Sequence, residues 1–575
     1  MKKIFALLIS ILVVVSCTNP IDDTFENNGD NNTLPKNIIY YTTTDDCCLY
    51  PNITESETFG AKLISNTYKN GVGKLIFNRQ ITCIGESAFE DCTTLTSIRI
   101  PGCVTNIGEN AFNGCTALKD LRIEDSENTL SIGCNTNNNS SNGLFYDCPL
   151  ETLYLGRNLS YNTGYQYGYS PFYDMSTLTS VTIGYNVTSL ENNTFNGCPI
   201  EKLELNCGTI GNWFRNKSSI KEIIFGNNVT IIKDNAFEYC TSLTSIETPN
   251  SITSIGNRAF YGTQWENNLP DGIVYVGKVL YKYKGEMENN TSITIKDGTT
   301  QIYSNAFYEQ KNLTNIIIPN SIASIGDNAF YGCSYLELVI NFSELQIVQD
   351  SRNNGYVGYY AYKVINAPNG TFVDDFIFAV INGVNTLVGY LGNNNDLKLP
   401  DNYKGKSYEI GEKAFYERYE LEYVTIPDGV TKIGREAFKN CECIYEIILG
   451  NGITSIEDYA FAECTYLHRI GIPGNVTSIG NYAFRNCFYL DRVIFANGVK
   501  SIGYAAFENC YSLHYLDIGN TIEKIKSRAF YGCENLAGVW ITDLDAWNRI
   551  SFDDWYANPL NLGAWLFLNN ERVEN

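Results

Sequence analysis

Residues 467–487 read LHRIGIPGNVTSIGNYAFRNC, and two strand-like segments lie within them. Apolar residues alternate with other residues from Leu467 to Ile472, which is the pattern of a β-strand with one buried face, and Pro473 ends this segment. Val476 to Ile479 forms a second, shorter segment that Gly480 closes, because glycine readily adopts turn conformations. The stretch therefore predicts two short strands joined by tight turns.

The rest of the stretch supplies an inward-pointing turn. Ala483, Phe484 and Cys487 fall at i, i+1 and i+4, which predicts one short helical or 3₁₀ turn with these side chains on one face. A unit of this size cannot bury two strands and a phenylalanine by itself. It must therefore stack on similar units.

Phenylalanine recurs along the chain with a constant period. Sixteen phenylalanines, including Phe484, fall at this position of the pattern, and 10 of the 15 gaps between them equal 23 residues. A period of this length indicates a repeat solenoid, here β-dominant with one short helical or 3₁₀ turn in each 23-residue repeat. The aligned residues are Phe89, Phe112, Phe145, Phe172, Phe195, Phe214, Phe237, Phe260, Phe307, Phe330, Phe415, Phe438, Phe461, Phe484, Phe507 and Phe530.

The repeat pattern L-x-x-I-x-I-P-x-x-V-T-x-I-G-x-x-A-F-x-x-C resembles the BspA-like leucine-rich repeat. The resemblance covers about residues 81–540, and its Ile-Pro strand ends stand at 100–101, 318–319, 426–427 and 472–473. It implies a leucine-rich-repeat-like fold. It also implies a surface lipoprotein of the Bacteroides-group type that binds host matrix proteins or other cells through its repeat surface.

The repeats are interrupted twice, by alternating runs that suggest paired strands. Gly272–Gly277 with Val279–Gly285 suggests a β-hairpin, and so does Phe376–Val380 with Thr386–Tyr390. Both are either binding excursions or, as we expect, variant turns of the same sheet.

In chain order we expect a lipoprotein signal peptide (1–16), an acylated cysteine and flexible tether (17–37), an N-terminal cap (38–80), repeats that are irregular over 130–213 (81–260), a β-hairpin-like insertion (261–306), repeats (307–340), a β-rich insertion (341–410), regular repeats (411–540) and an aromatic C-terminal cap (541–575).

The first residues indicate export. Lys2 and Lys3 precede an apolar run over 4–15, which is typical of a secretory signal and shorter than the roughly 20 residues of a membrane span. Val14 to Cys17 resembles a bacterial lipobox, the alternative being an ordinary signal peptide with a nearby cysteine. The resemblance implies acylation of Cys17 and a protein anchored in the outer membrane by lipid alone. Asp22-Asp23 resembles a surface-export signal, which implies that the protein faces the cell exterior.

Composition argues against several functions. The chain has 63 acidic and 41 basic residues, a formal net charge of −22, so it should repel nucleic acid. With 2 histidines and no phosphate-binding glycine motif, we expect no enzyme activity, no cofactor and no metal site. His468 and His514 lie two periods apart and are expected to be solvated residues at one repeated position.

Cysteine follows the repeat. Eleven of 19 cysteines lie three residues after an aligned phenylalanine. The slot also holds Met175 and Lys217, which do not form disulfides, so we expect a ladder of buried free thiols rather than a disulfide framework. The eleven are Cys92, Cys115, Cys148, Cys198, Cys240, Cys333, Cys441, Cys464, Cys487, Cys510 and Cys533.

The outward strand positions of the regular repeats form a candidate binding surface. One column reads Tyr423, Glu446, Arg469, Arg492, Tyr515, Gly538, and the next column ends at Trp540. Tyrosine, arginine and tryptophan are frequent hot spots, so a binding role is weighed against an ordinary solvated sheet. Arg469 and Arg492 would either hold an acidic partner or pair with Glu446. The predicted surface residues are Tyr423, Glu446, Arg469, Arg492, Tyr515 and Trp540.

Four of the six tryptophans lie near the C-terminus, where they suggest either a hydrophobic end cap or a glycan-binding platform. From the family resemblance we expect an adhesin whose partner is a host extracellular matrix protein or a bacterial surface protein. The alternative is a non-catalytic outer-membrane scaffold or glycan-binding protein that organises partner proteins.

Overall fold

The computed structural model describes residues 35–53, 58–135, 142–161, 170–191 and 193–574. The predicted signal peptide, Cys17 and nearly all of the predicted tether lie outside the described residues. The chain divides into an N-terminal unit, Met1–Gly285, and a C-terminal unit, Glu286–Asn575.

The N-terminal unit is a β-solenoid with one long sheet. The strands of successive repeats pair in parallel, as Leu153 does with Leu121 and Val181, while Ile38–Thr43 pairs antiparallel with Leu95–Ile100. The ten strands in spatial order are Ser245–Glu247, Glu222–Phe225, Lys202–Leu205, Ser180–Asn186, Thr152–Arg157, Asp120–Ile123, Leu95–Ile100, Ile38–Thr43, Val72–Phe77 and Leu63–Lys69.

Shorter elements complete this unit. Two ladders of very short strands are Leu159–Ser160, Leu130–Ile132, Asn106–Ile107, Cys83–Ile84 and Thr209–Ile210, Ile231–Ile232, Ser254–Ile255. Cys134–Asn135 pairs with Asn142–Gly143, a hairpin joins Gly272–Val276 to Val279–Lys284, and one helix spans Gln264–Asn267.

The C-terminal unit is a β-solenoid with two long sheets. The nine-stranded sheet contains Asp396–Lys398, Tyr423–Ile426, Glu446–Leu449, Arg469–Ile472, Arg492–Phe495, Tyr515–Asp517, Gly538–Ile541, Trp565–Leu568 and Glu571–Arg572. The ten-stranded sheet contains Thr371–Val373, Phe376–Ile381, Val384–Tyr390, Tyr408–Ile410, Val430–Ile433, Ser455–Ile456, Ser478–Ile479, Ser501–Ile502, Lys524–Ile525 and Ser551–Phe552.

The remaining elements of the C-terminal unit are short. A further sheet contains Thr291–Thr294, Leu313–Ile318, Leu338–Asn341 and Lys363–Asn366, and Gln301–Ile302 pairs with Ser324–Ile325. Helical segments span Asn354–Tyr356, Val357–Tyr360, Leu544–Asn548, Trp555–Ala557 and Pro559–Leu562. The prediction of a β-dominant repeat solenoid is confirmed.

The aligned phenylalanines form the centre of each core. All sixteen are buried, and most consecutive pairs within a unit stack face to face, as for Phe415 and Phe438 at 4.7 Å between ring centroids and Phe484 and Phe507 at 5.1 Å. In the irregular part of the N-terminal unit the stack continues across the 33-residue gap from Phe112, whose ring centroid lies 5.1 Å from that of Phe145. The extra residues there do not interrupt the core.

The turn that carries each phenylalanine has the hydrogen-bond spacing of a 3₁₀ helix but is not a continuous helix. In one repeat, called a rung from here on, the N–H of Cys487 donates to the carbonyl of Phe484 at 3.4 Å. Tyr482 and Asn486 have φ of 59°, in the left-handed region, so the segment divides into successive tight turns. The amide of Phe484 instead donates to the next rung, at Ala506 O, 2.8 Å away.

The eleven cysteines that follow the phenylalanines are all buried, as predicted. In ten of them the thiol donates a hydrogen bond to the carbonyl of the phenylalanine one rung earlier, as Cys487 does to Phe461 at 3.3 Å. Lys217 occupies the same slot and donates from Nζ to Phe195 O at 2.7 Å. The slot therefore favours a side chain that satisfies an otherwise buried carbonyl.

Candidate binding surface

The predicted surface residues lie on the nine-stranded sheet of the C-terminal unit. Along each strand the intervening residues are buried, among them Ile447, Ile470 and Val493, which turns their neighbours outward. Register pairs connect the first column directly, Arg469 with Arg492 and Arg492 with Tyr515. Five of the predicted residues thus form one continuous column, in the order Tyr423, Glu446, Arg469, Arg492, Tyr515.

The two arginines of this column differ in their partners. Arg492 donates from Nη2 and Nε to Oδ2 of Asp517, at 2.7 and 2.9 Å, and not to Glu446. Arg469 is exposed and has no acidic side chain within 4.0 Å among the described residues. Its charge is therefore available to a partner, whereas that of Arg492 is already compensated.

Exposed isoleucines flank the arginine column. Ile448 and Ile494 are 55% and 45% exposed, which is unusual for isoleucine on a folded surface. Gly471 pairs with Ile494, and a Cβ placed on it would meet no atom within 4 Å. The outward face consequently combines a shallow gap at Gly471, apolar side chains and the unpaired Arg469.

An aromatic row borders this surface and was not predicted. The ring of Tyr445 lies 6.1 Å from that of Tyr423 and 4.6 Å from His468, and His468 lies 6.2 Å from Tyr489. Tyr489 in turn stacks on Tyr466 at 5.1 Å. The sequence did contain a signal for this row. Tyr445 and His468 stand one period apart, and each directly precedes a residue of the predicted column.

The second histidine has a different neighbour. His514 occupies the same repeated position as His468, and its Nδ1 lies 2.8 Å from Oδ1 of Asp491. Both histidines are half-buried rather than fully solvated.

Trp540 belongs to a packed end rather than to the open column. Its ring stacks on Phe567 at 4.7 Å and meets Tyr515 edge-on at 5.4 Å. Trp547 is buried, while Trp565 is half-exposed with the guanidinium of Arg572 3.0 Å from its ring centroid. Among the predicted surface residues, Trp540 is therefore the one whose side chain is most involved in packing.

The described residues contain no group of three or more His, Cys, Asp or Glu side chains placed to hold a metal ion. Within the same part of the chain, no helix has both the length and the apolar character needed to cross a membrane.

Comparison with known proteins identifies similar sequences and folds. The family model described as BspA type leucine rich repeat region (6 copies) matches residues 65–143, 138–266, 265–353 and 408–537, which is most of the chain. No curated protein sequence matches the chain.

Similar solved structures are also repeat proteins. A leucine-rich repeat protein of T. pallidum is 30% identical, covers 29% of this chain and 80% of that chain, and has a TM-score of 0.28. A leucine-rich cell surface protein of Faecalibacterium prausnitzii is 22% identical, covers 86% and 90% of the two chains, and has a TM-score of 0.26. A leucine-rich repeat protein of Bacteroides ovatus is 19% identical, covers 88% and 99%, and has a TM-score of 0.19.

Proposed function

The chain belongs to the BspA-type leucine-rich repeat family, whose repeats typically serve non-catalytic protein binding, and we propose that it is a bacterial cell-surface adhesin. Its partner is a host extracellular matrix protein or a protein on another bacterial surface. Acyl chains on Cys17 anchor it to the outer membrane, and residues 17–37 hold the repeats away from the lipid.

The observation that carries this proposal is the unpaired Arg469 beside exposed Ile448 and Ile494. Binding energy at protein interfaces concentrates in a few residues, most often tryptophan, tyrosine and arginine, and the contacts around them serve mainly to exclude water. The aromatic row beside Arg469 supplies rigid side chains whose ordering costs little entropy. This surface therefore suits a protein segment that presents an acidic residue next to apolar ones.

The partner surface is tested by a charge reversal at Arg469. Cells that carry the full-length chain with Arg469→Glu should adhere to immobilised matrix proteins or partner bacteria with affinity at least about tenfold lower, roughly 1.4 kcal/mol. Lys500→Glu makes the same charge change at an exposed residue that precedes Ser501–Ile502 of the other long sheet, and it should leave adhesion unchanged.

Cell-surface exposure is tested on intact cells. Protease should release the repeats from cells that express the full chain while a periplasmic control protein stays intact. Full protection until the outer membrane is opened would contradict the adhesin and favour a periplasmic scaffold. Equal adhesion of the Arg469→Glu and Lys500→Glu cells would mean that the partner binds at a site that does not include Arg469.

A further inference from the structure

The N-terminal unit contains a polar cavity that the proposed adhesion surface does not use. Its volume is about 1180 Å³, and it opens near the ends of the strands Leu95–Ile100, Asp120–Ile123 and Thr152–Arg157. Drug-sized ligands occupy cavities of roughly 300–1,000 Å³, so this one has room for an extended ligand.

Asp125 is held rigidly at the cavity wall. Its carboxylate accepts hydrogen bonds from the hydroxyl of Tyr154 and from the backbone N–H of Tyr185, the latter at 2.9 Å. A Cβ at Gly156 would lie 2.4 Å from the Asp125 nitrogen, and one at Gly184 would lie 2.6 Å from its Oδ1. Only glycine at these two positions allows the neighbouring rungs to close on Asp125.

Two arginines face the same cavity on adjacent rungs. Arg99 and Arg122 both donate from Nε to Oε1 of Glu124. The guanidinium of Arg122 also lies 3.7 Å from the ring centroid of Tyr154. Nε makes the only hydrogen bond of Arg122 to the described residues, so its two Nη groups remain available as donors. The Glu124 carboxylate and the Tyr154 ring hold the guanidinium in place.

A buried cation supports the wall. The side chain of Arg157 is fully buried and donates to the carbonyls of Pro101, Gly102 and Val104 at 2.6–3.0 Å. Burial lowers the pKa of Arg157 to about 10, while the negative charge of the Asp125 carboxylate acts in the opposite direction. The guanidinium thus stays charged at neutral pH and fixes the turn that forms one side of the cavity.

We propose that this cavity binds a neutral oligosaccharide. Sugar hydroxyls both donate and accept, so they require fixed acceptors such as Asp125 and fixed donors such as Arg122 in one place. Tyr185, which is 56% exposed at the rim, presents an aromatic face to the C–H face of a sugar ring.

Charge determines the class of oligosaccharide. The cavity is lined by three basic and four acidic side chains. It offers no excess positive charge to a sulfated or uronic acid polymer, and the whole chain carries −22. Neutral hexasaccharides of glucose, mannose, galactose or N-acetylglucosamine are therefore the expected ligands.

The test is calorimetric titration of the full-length chain with these four types of neutral hexasaccharide. At least one should bind with Kd below about 1 mM. Tyr185→Ala should weaken this binding at least about tenfold, because it removes the rim ring without touching the core. Tyr146→Ala, which removes a ring that is 47% exposed in the same unit and lies outside the cavity lining, is the matched control and should bind as wild type does.

A second variant separates binding from folding. Arg122→Met removes the guanidinium, and with it the contact to the Tyr154 ring, the Nε bond to Glu124 and the Nη donors, so it should lose sugar binding while far-UV circular dichroism stays unchanged. Absence of binding to all four sugars, preference for a hyaluronan hexasaccharide or for acidic peptides, or equal binding by the Tyr185→Ala and Tyr146→Ala variants would overturn the proposal.

The adhesion proposal is tested independently. It concerns the C-terminal unit, and Arg469→Glu should leave sugar binding at the wild-type level. Likewise, Tyr185→Ala should leave adhesion to the protein partner at its wild-type level.

Discussion

Individual cysteine residues illustrate how a buried polar group becomes part of the repeat. The Cys441 thiol donates to Phe415 O at 2.9 Å, and burial raises its pKa from 9.0 to about 12. A thiol held neutral in this way is a poor nucleophile, because the thiolate is the reactive form. Cys441 therefore acts as a structural residue of the ladder.

The raised pKa of Cys441 predicts a pH dependence of stability. In the unfolded chain the thiol ionises near pH 9, while in the folded protein it stays neutral to about pH 12. The stability that the buried, neutral Cys441 thiol contributes is therefore fully present below pH 9 and is lost as the pH rises from 9 to 12. Between pH 8 and 10.5, the free energy of unfolding should fall by about 2 kcal/mol more in wild type than in Cys441→Ala.

Urea unfolding followed by circular dichroism at the two pH values measures this difference. Cys443→Ala changes an exposed cysteine two residues away and should retain the wild-type pH dependence. If Cys441→Ala retains it as well, ionisation of the buried thiol does not contribute.

At the scale of one element, the turn is held in a conformation that its residues do not favour by themselves. Each regular rung has a left-handed residue two positions before its phenylalanine and another two positions after it. A left-handed residue other than glycine costs roughly 1–2 kcal/mol. Hydrogen bonds between rungs offset this cost, as from Tyr482 N to Tyr504 O at 2.9 Å and from Asn486 N to Glu508 O at 2.8 Å.

Adjacent alanines allow this strain to be measured. Ala505 has φ of 50°, whereas Ala506 is not in the left-handed region, and both are fully buried. Glycine at either site removes one buried methyl group, but only Ala505→Gly relieves strain. Ala506→Gly should therefore lower the free energy of unfolding by at least about 1 kcal/mol more than Ala505→Gly.

Chemical unfolding of the two variants under the same conditions checks this prediction. Equal losses of stability would mean that the left-handed conformation at Ala505 costs nothing in this turn.

At the scale of the whole molecule, each unit is built from contacts between neighbouring rungs. The same register and the same stacking recur from rung to rung, so stability should be a sum of rung and interface contributions. A change of one whole period should then preserve every type of contact, while a change of half a period should not.

Removal of residues 461–483, one period of 23, joins Ala460 to Phe484 and restores the Ala-Phe pair. This variant should keep its β-sheet circular dichroism and unfold cooperatively within about 5 °C of wild type, because it loses one of many equivalent interfaces.

Removal of only residues 461–472 joins Ala460 to Pro473 and displaces the following strands from their partners. This control should lose cooperative unfolding. Equal behaviour of the two deletions would contradict a stability set by rung-to-rung register.

Much of the fold follows from the sequence alone. The 23-residue spacing identifies the buried phenylalanine stack, the two strands of each rung and the buried cysteine slot, because a periodic apolar pattern has to be buried by stacking neighbours. The spacing also placed Tyr423, Glu446, Arg469, Arg492 and Tyr515 in one column, since outward positions repeat with the same period as inward ones.

Only the tertiary structure decided which side chains meet across rungs. Arg492 pairs with Asp517 instead of Glu446, Tyr445 joins an aromatic row, and Trp540 stacks on Phe567. These choices depend on side-chain direction and reach, which a spacing does not contain. The cavity around Asp125 could not be predicted from the sequence either. It forms where longer, irregular repeats bring glycines and the buried Arg157 together from different rungs.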